Sequence, residues 1–166
     1  SSRATKADQG ERPRQRPRRR AAALSPMITY IDTSTLLKLI IDEEGSERAM
    51  TIWSSADVVA SVNLLVVEAR AALGAARRVR RLAGAQHRSA VSELDALISD
   101  LHIVHVTDEL VASAAKLADE EGLRGYDAVH LAAALTVEAT VFSSADTALC
   151  AAAERRGLHI ANPLGS

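Results

Sequence analysis

Four acidic residues stand where a carboxylate is well placed to do chemistry. Each comes directly after a short apolar run or in the first turns of the helix predicted to follow it, and they are Asp32, Glu68, Asp127 and Asp146. Ligands of open α/β sheets bind at the carboxyl ends of the strands, so all four side chains are predicted to face one cleft. Four negative charges in one cleft repel one another unless a cation lies among them, and hard Mg²⁺ or Mn²⁺ prefers such oxygen ligands.

Each of these acids also has a purely structural explanation. Aspartate is a common helix N-cap residue, and a negative charge near a helix N-terminus is favoured by the helix dipole. Two interpretations therefore stay open, namely one divalent metal site or four independent helix caps. The metal site is the more economical of the two because it accounts for all four positions at once.

The elements that must position these acids alternate as in a parallel sheet covered by helices. Short β-branched runs predict strands over 27–31, 57–61, 101–106, 139–142 and 158–160. Apolar spacing of three and four residues, together with caps and glycine stops, predicts helices over 35–41, 46–53, 63–83, 86–100, 110–121, 127–135 and 147–156. The order β-α-α-β-α-α-β-α-α-β-α-β predicts a three-layer α/β/α domain with a mostly parallel central sheet.

The longest predicted helix, 63–83, carries Glu68 in its second turn, near the end of the preceding strand. Its buried face is predicted from the three- and four-residue spacing of Leu65, Ala69, Ala72, Ala76 and Val79.

Composition limits the classes of function. The chain has 166 residues, 48% of them hydrophobic, which suits one domain with a substantial core. Aromatic residues make up only 2%, so any nucleic acid is expected to be held through its backbone and not by stacked bases. The single cysteine, Cys150, excludes an internal disulfide and a multi-cysteine zinc site. No apolar run approaches the roughly 18 residues of a membrane span, and we expect a cytoplasmic protein without membrane contact.

The first 26 residues differ in composition from the remainder. They contain eight basic residues against two acidic ones, a net charge of +6, which leaves −7 on residues 27–166. Three of the four prolines also lie there, and large apolar residues are nearly missing. This composition predicts a disordered basic extension over 1–26, followed by one domain over 27–166 that begins at the start-like Met27.

Four stretches, taken in order, resemble the signatures of PIN-domain proteins, and in particular the VapC toxin ribonucleases of type II toxin–antitoxin pairs. They are Ile31-Asp32-Thr33-Ser34, Glu68-Ala69, Arg124-Gly125-Tyr126-Asp127-Ala128 with His130-Leu131-Ala132, and Ser143-Ser144-Ala145-Asp146. Together they span essentially Met27 to Pro163, which makes the resemblance far more specific than any one motif.

The resemblance implies a Mg²⁺- or Mn²⁺-dependent endoribonuclease. In such a site Asp32 and Asp127 hold the ion, Asp146 assists directly or through water, and Glu68 orients or deprotonates the attacking water. It also implies a homodimer and a small VapB-like antitoxin partner. We interpret His130 as a packing residue in preference to one at the pocket rim. Thr33, Ser34 and Ser144 suit either the scissile phosphate or helix capping.

Two other functions compete with this interpretation. A catalytically silent PIN scaffold that only binds a partner has the same fold, and the four acids argue against it. A phosphoryl-accepting switch also places an acid after its first strand, but it requires a second acid nearby and a lysine after a late strand. Here Thr33 and Ser34 follow Asp32, and Ser143-Ser144 follow the late strand.

Overall fold

A five-stranded sheet forms the centre of the protein. The structure, a computed structural model, describes residues 26–165. All neighbouring strands are parallel and lie in the order β3-β2-β1-β4-β5. The strands are β1 Ile28–Ile31, β2 Val58–Val62, β3 His102–Val104, β4 Val141–Ser143 and β5 His159–Ile160.

Seven helices in the described residues cover the two faces of this sheet. They are α1 Thr33–Ile40, α2 Ser46–Ser55, α3 Leu64–Arg78, α4 Gly84–Asp100, α5 Asp108–Glu121, α6 Gly125–Thr136 and α7 Thr147–Arg155. One buried apolar cluster joins the sheet to α5, α6 and α7, and a second joins it to α1, α3 and α4. The predicted three-layer α/β/α architecture is therefore confirmed, with a sheet that is parallel throughout.

Residues of β1 alternate between the two clusters, as the two-residue period of a strand requires. Tyr30 belongs to the α5–α7 cluster, where its ring stacks on Phe142 with centroids 5.5 Å apart, whereas Ile31 belongs to the other. Helix α6 packs closely on the sheet because four of its buried side chains are alanines, namely Ala128, Ala132, Ala133 and Ala134.

The order of elements matches the sequence prediction, but the predicted helix 63–83 is too long. Helix α3 ends at Arg78, because Arg80 adopts a left-handed backbone with φ 60° and the chain then turns into α4. Its buried face is Leu65, Ala69, Leu73 and Ala76. The predicted core residue Val79 is 67% exposed, since it lies beyond the last helical turn. Ala72 is only half-buried.

Strand β1 lies at the point where the strand order reverses. Strands β2 and β3 extend the sheet to one side of it, and β4 and β5 extend it to the other. In open α/β sheets such a reversal leaves a crevice beyond the carboxyl ends of the two central strands. The Asp32 N–H donates to the Ser143 carbonyl at 3.0 Å, so β1 and β4 stay paired up to the edge of that crevice.

Residues 1–25 of the predicted N-terminal extension lie outside the described part of the chain. The described helices include none with the length and apolar character needed to cross a membrane.

We predict that removing residues 1–26 leaves the domain folded. Every strand and both apolar clusters are built from residue 28 onward, and the bond from Met27 N to Asp57 Oδ2, at 2.9 Å, is retained in the shortened chain. Thermal unfolding followed by circular dichroism should give the same midpoint for both chains. Loss of cooperative unfolding in the shortened chain would show that the boundary is wrong. Weaker RNA binding at low salt alone would instead indicate an electrostatic role for the extension.

Candidate active site

Asp32 is a buried carboxylate at the carboxyl end of β1, with 6% of its surface exposed. Its Oδ1 accepts hydrogen bonds from Ser34 Oγ at 2.6 Å and from the Thr35 N–H at 3.1 Å, which makes it the N-cap of α1. Its Oδ2 accepts one from Ser144 Oγ at 2.5 Å. Burial raises the pKa of Asp32, although the nearby His130 ring and the hydroxyl donors oppose that shift.

The two serine hydroxyls connect Asp32 to the loop between β4 and α7. Ser34 Oγ accepts from the Ala145 N–H at 2.9 Å, and Ser144 Oγ accepts from the Asp146 N–H at 3.0 Å. Each hydroxyl therefore takes a backbone proton donor on one side and donates to Asp32 on the other. Thr33, Ser34 and Ser144 were predicted to contact either a phosphate or a helix end, and here all three are bound to the acids themselves.

Asp127 and Asp146 share one cation, the guanidinium of Arg124. Its Nε lies 3.0 Å from Asp127 Oδ2, and its Nη2 lies 3.3 Å from Asp146 Oδ2. Asp146 is also the N-cap of α7, since its Oδ1 accepts from the Leu149 N–H at 3.0 Å. The two carboxylates raise the pKa of Arg124, whose side chain is 81% exposed.

Glu68, on α3, is held by two donors at the same oxygen. Thr33 Oγ1 donates to Oε1 at 3.0 Å, and His130 Nε2 lies 2.7 Å from the same atom. Burial by itself raises the pKa of Glu68, but the hydrogen bonds from His130 and Thr33 oppose it, and the pKa is lowered overall.

His130 is a packing residue, as predicted, but it also contacts the site. It is only 2% exposed, and its Nδ1 lies 2.7 Å from the Tyr30 hydroxyl while its Nε2 meets Glu68. The spacing of three residues after Asp127 placed it on the correct side of α6. The parts of Tyr30 and Arg124 in this network were not predicted, although Arg124 stands within the motif that contains Asp127.

The four acids thus lie in two hydrogen-bonded groups, Asp32 with Asp127 and Asp146 through Ser144 and Arg124, and Glu68 with Thr33 and His130, but they do not form a ready-made ion cage. Within residues 26–165 no group of three or more Asp, Glu, His or Cys side chains is arranged to hold a metal. Two of the four acids, Asp32 and Asp146, do act as helix caps. The donor set nevertheless fits Mg²⁺ or Mn²⁺, because it consists of carboxylates whose orientation is fixed by hydroxyls and backbone N–H groups.

A groove of about 700 Å³ opens beside the network. Glu68, Arg124 and Asp127 form its polar side. The rest is largely apolar and is contributed by the start of α3, the residues after β3, α5 and the start of α6, including Leu64, Val106, Val111, Ala114, Tyr126 and Val129.

The fold and the hydrogen-bonded acids define an acidic crevice at the point where the strand order of the parallel sheet reverses. The chain belongs to the PIN domain family. The sequence pattern of that family matches residues 29–155. Similar curated proteins are Ribonuclease VapC45 and Ribonuclease VapC49 from two strains of Mycobacterium tuberculosis. Each is 36% identical over 110 residues, which cover 66% of this chain and 76% of the relative. The resemblance inferred from the motifs is therefore confirmed.

Solved structures agree on the fold. VapC20 of Mycobacterium tuberculosis, described as a sarcin-ricin loop cleaving toxin, superposes with a TM-score of 0.60 at 24% identity, covering 75% of this chain and 94% of that one. FitAcB from Neisseria gonorrhoeae superposes with a TM-score of 0.64 at 18% identity, covering 81% and 97%. At these identities the likeness concerns the arrangement of helices and strands alone.

We predict that Asp32→Asn changes how the stability of the metal-free protein depends on pH. Burial raises the pKa of Asp32, so the folded state keeps this proton to higher pH than the unfolded chain does. As pH rises from about 4, ionisation therefore lowers the free energy of unfolding of the wild type, and the asparagine removes that loss. Urea unfolding in chelator between about pH 4 and 7 should show the free energy of unfolding of the variant increasing relative to that of the wild type as pH rises. Parallel curves for the two proteins would contradict a buried, titrating Asp32.

Proposed function

We propose that this chain is a Mg²⁺- or Mn²⁺-dependent endoribonuclease and the toxin of a type II toxin–antitoxin module. The observation that carries the proposal is that each of the four acids is fixed by named hydrogen-bond or ion-pair partners near the crevice. A carboxylate as deeply buried as Asp32 is costly unless its charge has a use or a counter-charge. Membership of the PIN family and the ribonuclease relatives support the choice of reaction.

The proposed roles follow from the contacts. Asp32 and Asp127 would hold the cation, with Asp146 assisting directly or through water, and Glu68 would take the proton of the attacking water. A divalent ion bound there lowers the pKa of that water and neutralises charge that develops on the phosphate. Glu68 suits the role of base because Thr33 and His130 fix one of its oxygens, while the other stays free of protein donors among the described residues.

Arg124 is proposed to serve the substrate as well as the acids. In the structure it neutralises part of the charge on Asp127 and Asp146, which is the task that the sequence assigned to a metal ion. Its side chain is largely exposed, and a guanidinium is well suited to bind phosphate oxygens. We therefore place it where RNA backbone would approach the carboxylates.

We further propose a VapB-like antitoxin as the partner, a homodimer as the assembly and the cytoplasm as the site of action. The partner is supported by the VapC names of the relatives and by the largely apolar groove next to Glu68 and Asp127. The location is supported by the single cysteine, which suits a reducing compartment.

The water mechanism predicts the chemistry of the product ends. Water as the nucleophile expels the 3′-oxygen, so the purified protein should leave 5′-phosphate and 3′-hydroxyl ends, and only when Mg²⁺ or Mn²⁺ is present. Glu68→Gln should keep RNA binding but lower turnover by about 10²–10⁴-fold. Mapping the ends of cellular RNA cut by the purified protein, with and without chelator, tests the product ends and their metal dependence. The rate at which Glu68→Gln cuts the same RNA tests the fall in turnover.

Two outcomes would contradict this proposal. Products with 2′,3′-cyclic phosphate ends would refute water as the nucleophile and the role of Glu68. RNA binding without cleavage, unaffected by Asp32→Asn or Asp127→Asn, would favour the catalytically silent binding module.

We predict that Arg124→Gln separates metal binding from RNA binding. Loss of the guanidinium removes a cation that competes for Asp127 and Asp146, so Mn²⁺ alone should bind the variant more tightly in calorimetric titration. RNA should bind it more weakly, because a phosphate contact is lost. Arg155→Gln is the matched control, since Arg155 is also an exposed arginine in an ion pair but pairs with Glu121. An unchanged Mn²⁺ affinity in Arg124→Gln would contradict a shared site.

A further inference from the structure

A chain of three hydrogen-bonded side chains runs from the core of the sheet to the candidate base. Tyr30 is a fully buried residue of β1, His130 lies in α6, and Glu68 lies in α3. The Tyr30 hydroxyl lies 2.7 Å from His130 Nδ1, and His130 Nε2 lies 2.7 Å from Glu68 Oε1. Three separate elements therefore meet at one imidazole ring.

We propose that Tyr30 and His130 are positioning residues that fix the orientation of the Glu68 carboxylate, so that Oε1 is tethered and Oε2 remains free to work. The catalytic consequence of this inference depends on the ribonuclease activity proposed above. The tether itself is a property of the folded chain and can be tested without any substrate.

For a neutral His130 ring, the chemistry of the three groups sets the direction of both hydrogen bonds. A carboxylate can only accept, so the proton between His130 and Glu68 belongs to Nε2. Nδ1 of a neutral ring then has a lone pair, and the Tyr30 O–H donates to it. A tyrosine hydroxyl, with an ordinary pKa of about 10, is protonated near neutral pH and able to donate.

The ring has little freedom to turn. The Tyr30 and His130 rings meet edge to face, with centroids 5.8 Å apart and planes at 75°. The Tyr30 ring also stacks on Phe142. Since both ring nitrogens are also bonded, any other orientation of His130 would leave a buried polar atom without a partner.

The attachment of Glu68 at one oxygen matters for function. Both donors, Thr33 Oγ1 and His130 Nε2, bind Oε1, and no donor in the described part of the chain binds Oε2. Two bonds on one oxygen fix the plane of the carboxylate and leave the second oxygen for water. A base needs such a preset orientation within hydrogen-bond reach of its proton.

Two substitutions of His130 separate the two hydrogen bonds. In His130→Gln the side-chain amide can replace Nε2 as the donor to Glu68. In His130→Asn the shorter amide replaces Nδ1 beside Tyr30 and does not reach Glu68. His102→Asn is the matched control, because His102 is an exposed histidine on β3. Circular dichroism melting of each variant establishes that it is folded.

The kinetic test compares these variants on the cellular RNA that the wild type cuts with Mn²⁺. His130→Asn should lower kcat by about 10–100-fold, the usual effect of losing a residue that orients a site group, with little change in KM. His130→Gln should recover most of that loss, and His102→Asn should match the wild type. In a Glu68→Gln background, His130→Asn should add no further loss, because the two residues act as one unit.

The second readout needs neither RNA nor metal. Ring-nitrogen NMR of the metal-free protein, with the His130 signals assigned from the spectrum of His130→Gln, should show Nε2 protonated and Nδ1 accepting a hydrogen bond. Tyr30→Phe should remove the shift caused by that bond at Nδ1. If His130→Asn fails to fold, Tyr30→Phe replaces it in the kinetic test, and a fall in kcat is expected there too.

Opposite results would overturn the inference. A proton on Nδ1 with Nε2 unprotonated would refute the tether. Equal activity of His130→Asn and His130→Gln, or additive losses in the Glu68→Gln background, would refute the positioning role. A wild type that cuts no RNA while the NMR result holds would refute the proposed function and leave the tether in place.

Discussion

The buried negative charge of Asp32 is the constraint on which the rest of the site depends. A carboxylate that is 6% exposed must find donors inside the protein, and it finds them on both sides of the crevice, in α1 and after β4. Ser34 and Ser144 then bind the backbone of the β4–α7 loop as well. One carboxylate therefore fixes how the two central strands and the helices after them meet.

The other three acids differ from one another in how buried their hydrogen-bond and ion-pair partners are. Glu68 is tied to buried groups, whereas Asp127 and Asp146 share an arginine whose side chain is 81% exposed and can be replaced by another cation. The buried group around Glu68 suits a base that must be oriented. The exposed pair of Asp127 and Asp146 suits ligands that exchange partners when an ion or a phosphate arrives.

The sequence predicted the order of all twelve elements because strand patterns, caps and glycine stops are local signals. It overestimated α3, because the left-handed turn at Arg80 carries no glycine to mark it. It found Asp32 and Asp146 at strand ends but could not give their partners. The Tyr30–His130 bond joins residues 100 positions apart, and such contacts depend on how α6 packs against the sheet. The same holds for Arg124, whose two partners meet only in the folded chain.

Asp32 and Asp146 are both site acids and helix caps, and this limits which substitutions the domain can accept during evolution. An N-cap aspartate replaced by alanine typically costs about 0.5–2 kcal/mol, so a change that silences the crevice also loosens the start of α1 or α7. A variant that loses Asp32 or Asp146 to a residue unable to cap a helix is therefore expected to be less stable as well as inactive. Serine and asparagine can still cap a helix, so substitution by either residue removes the carboxylate while the fold is kept.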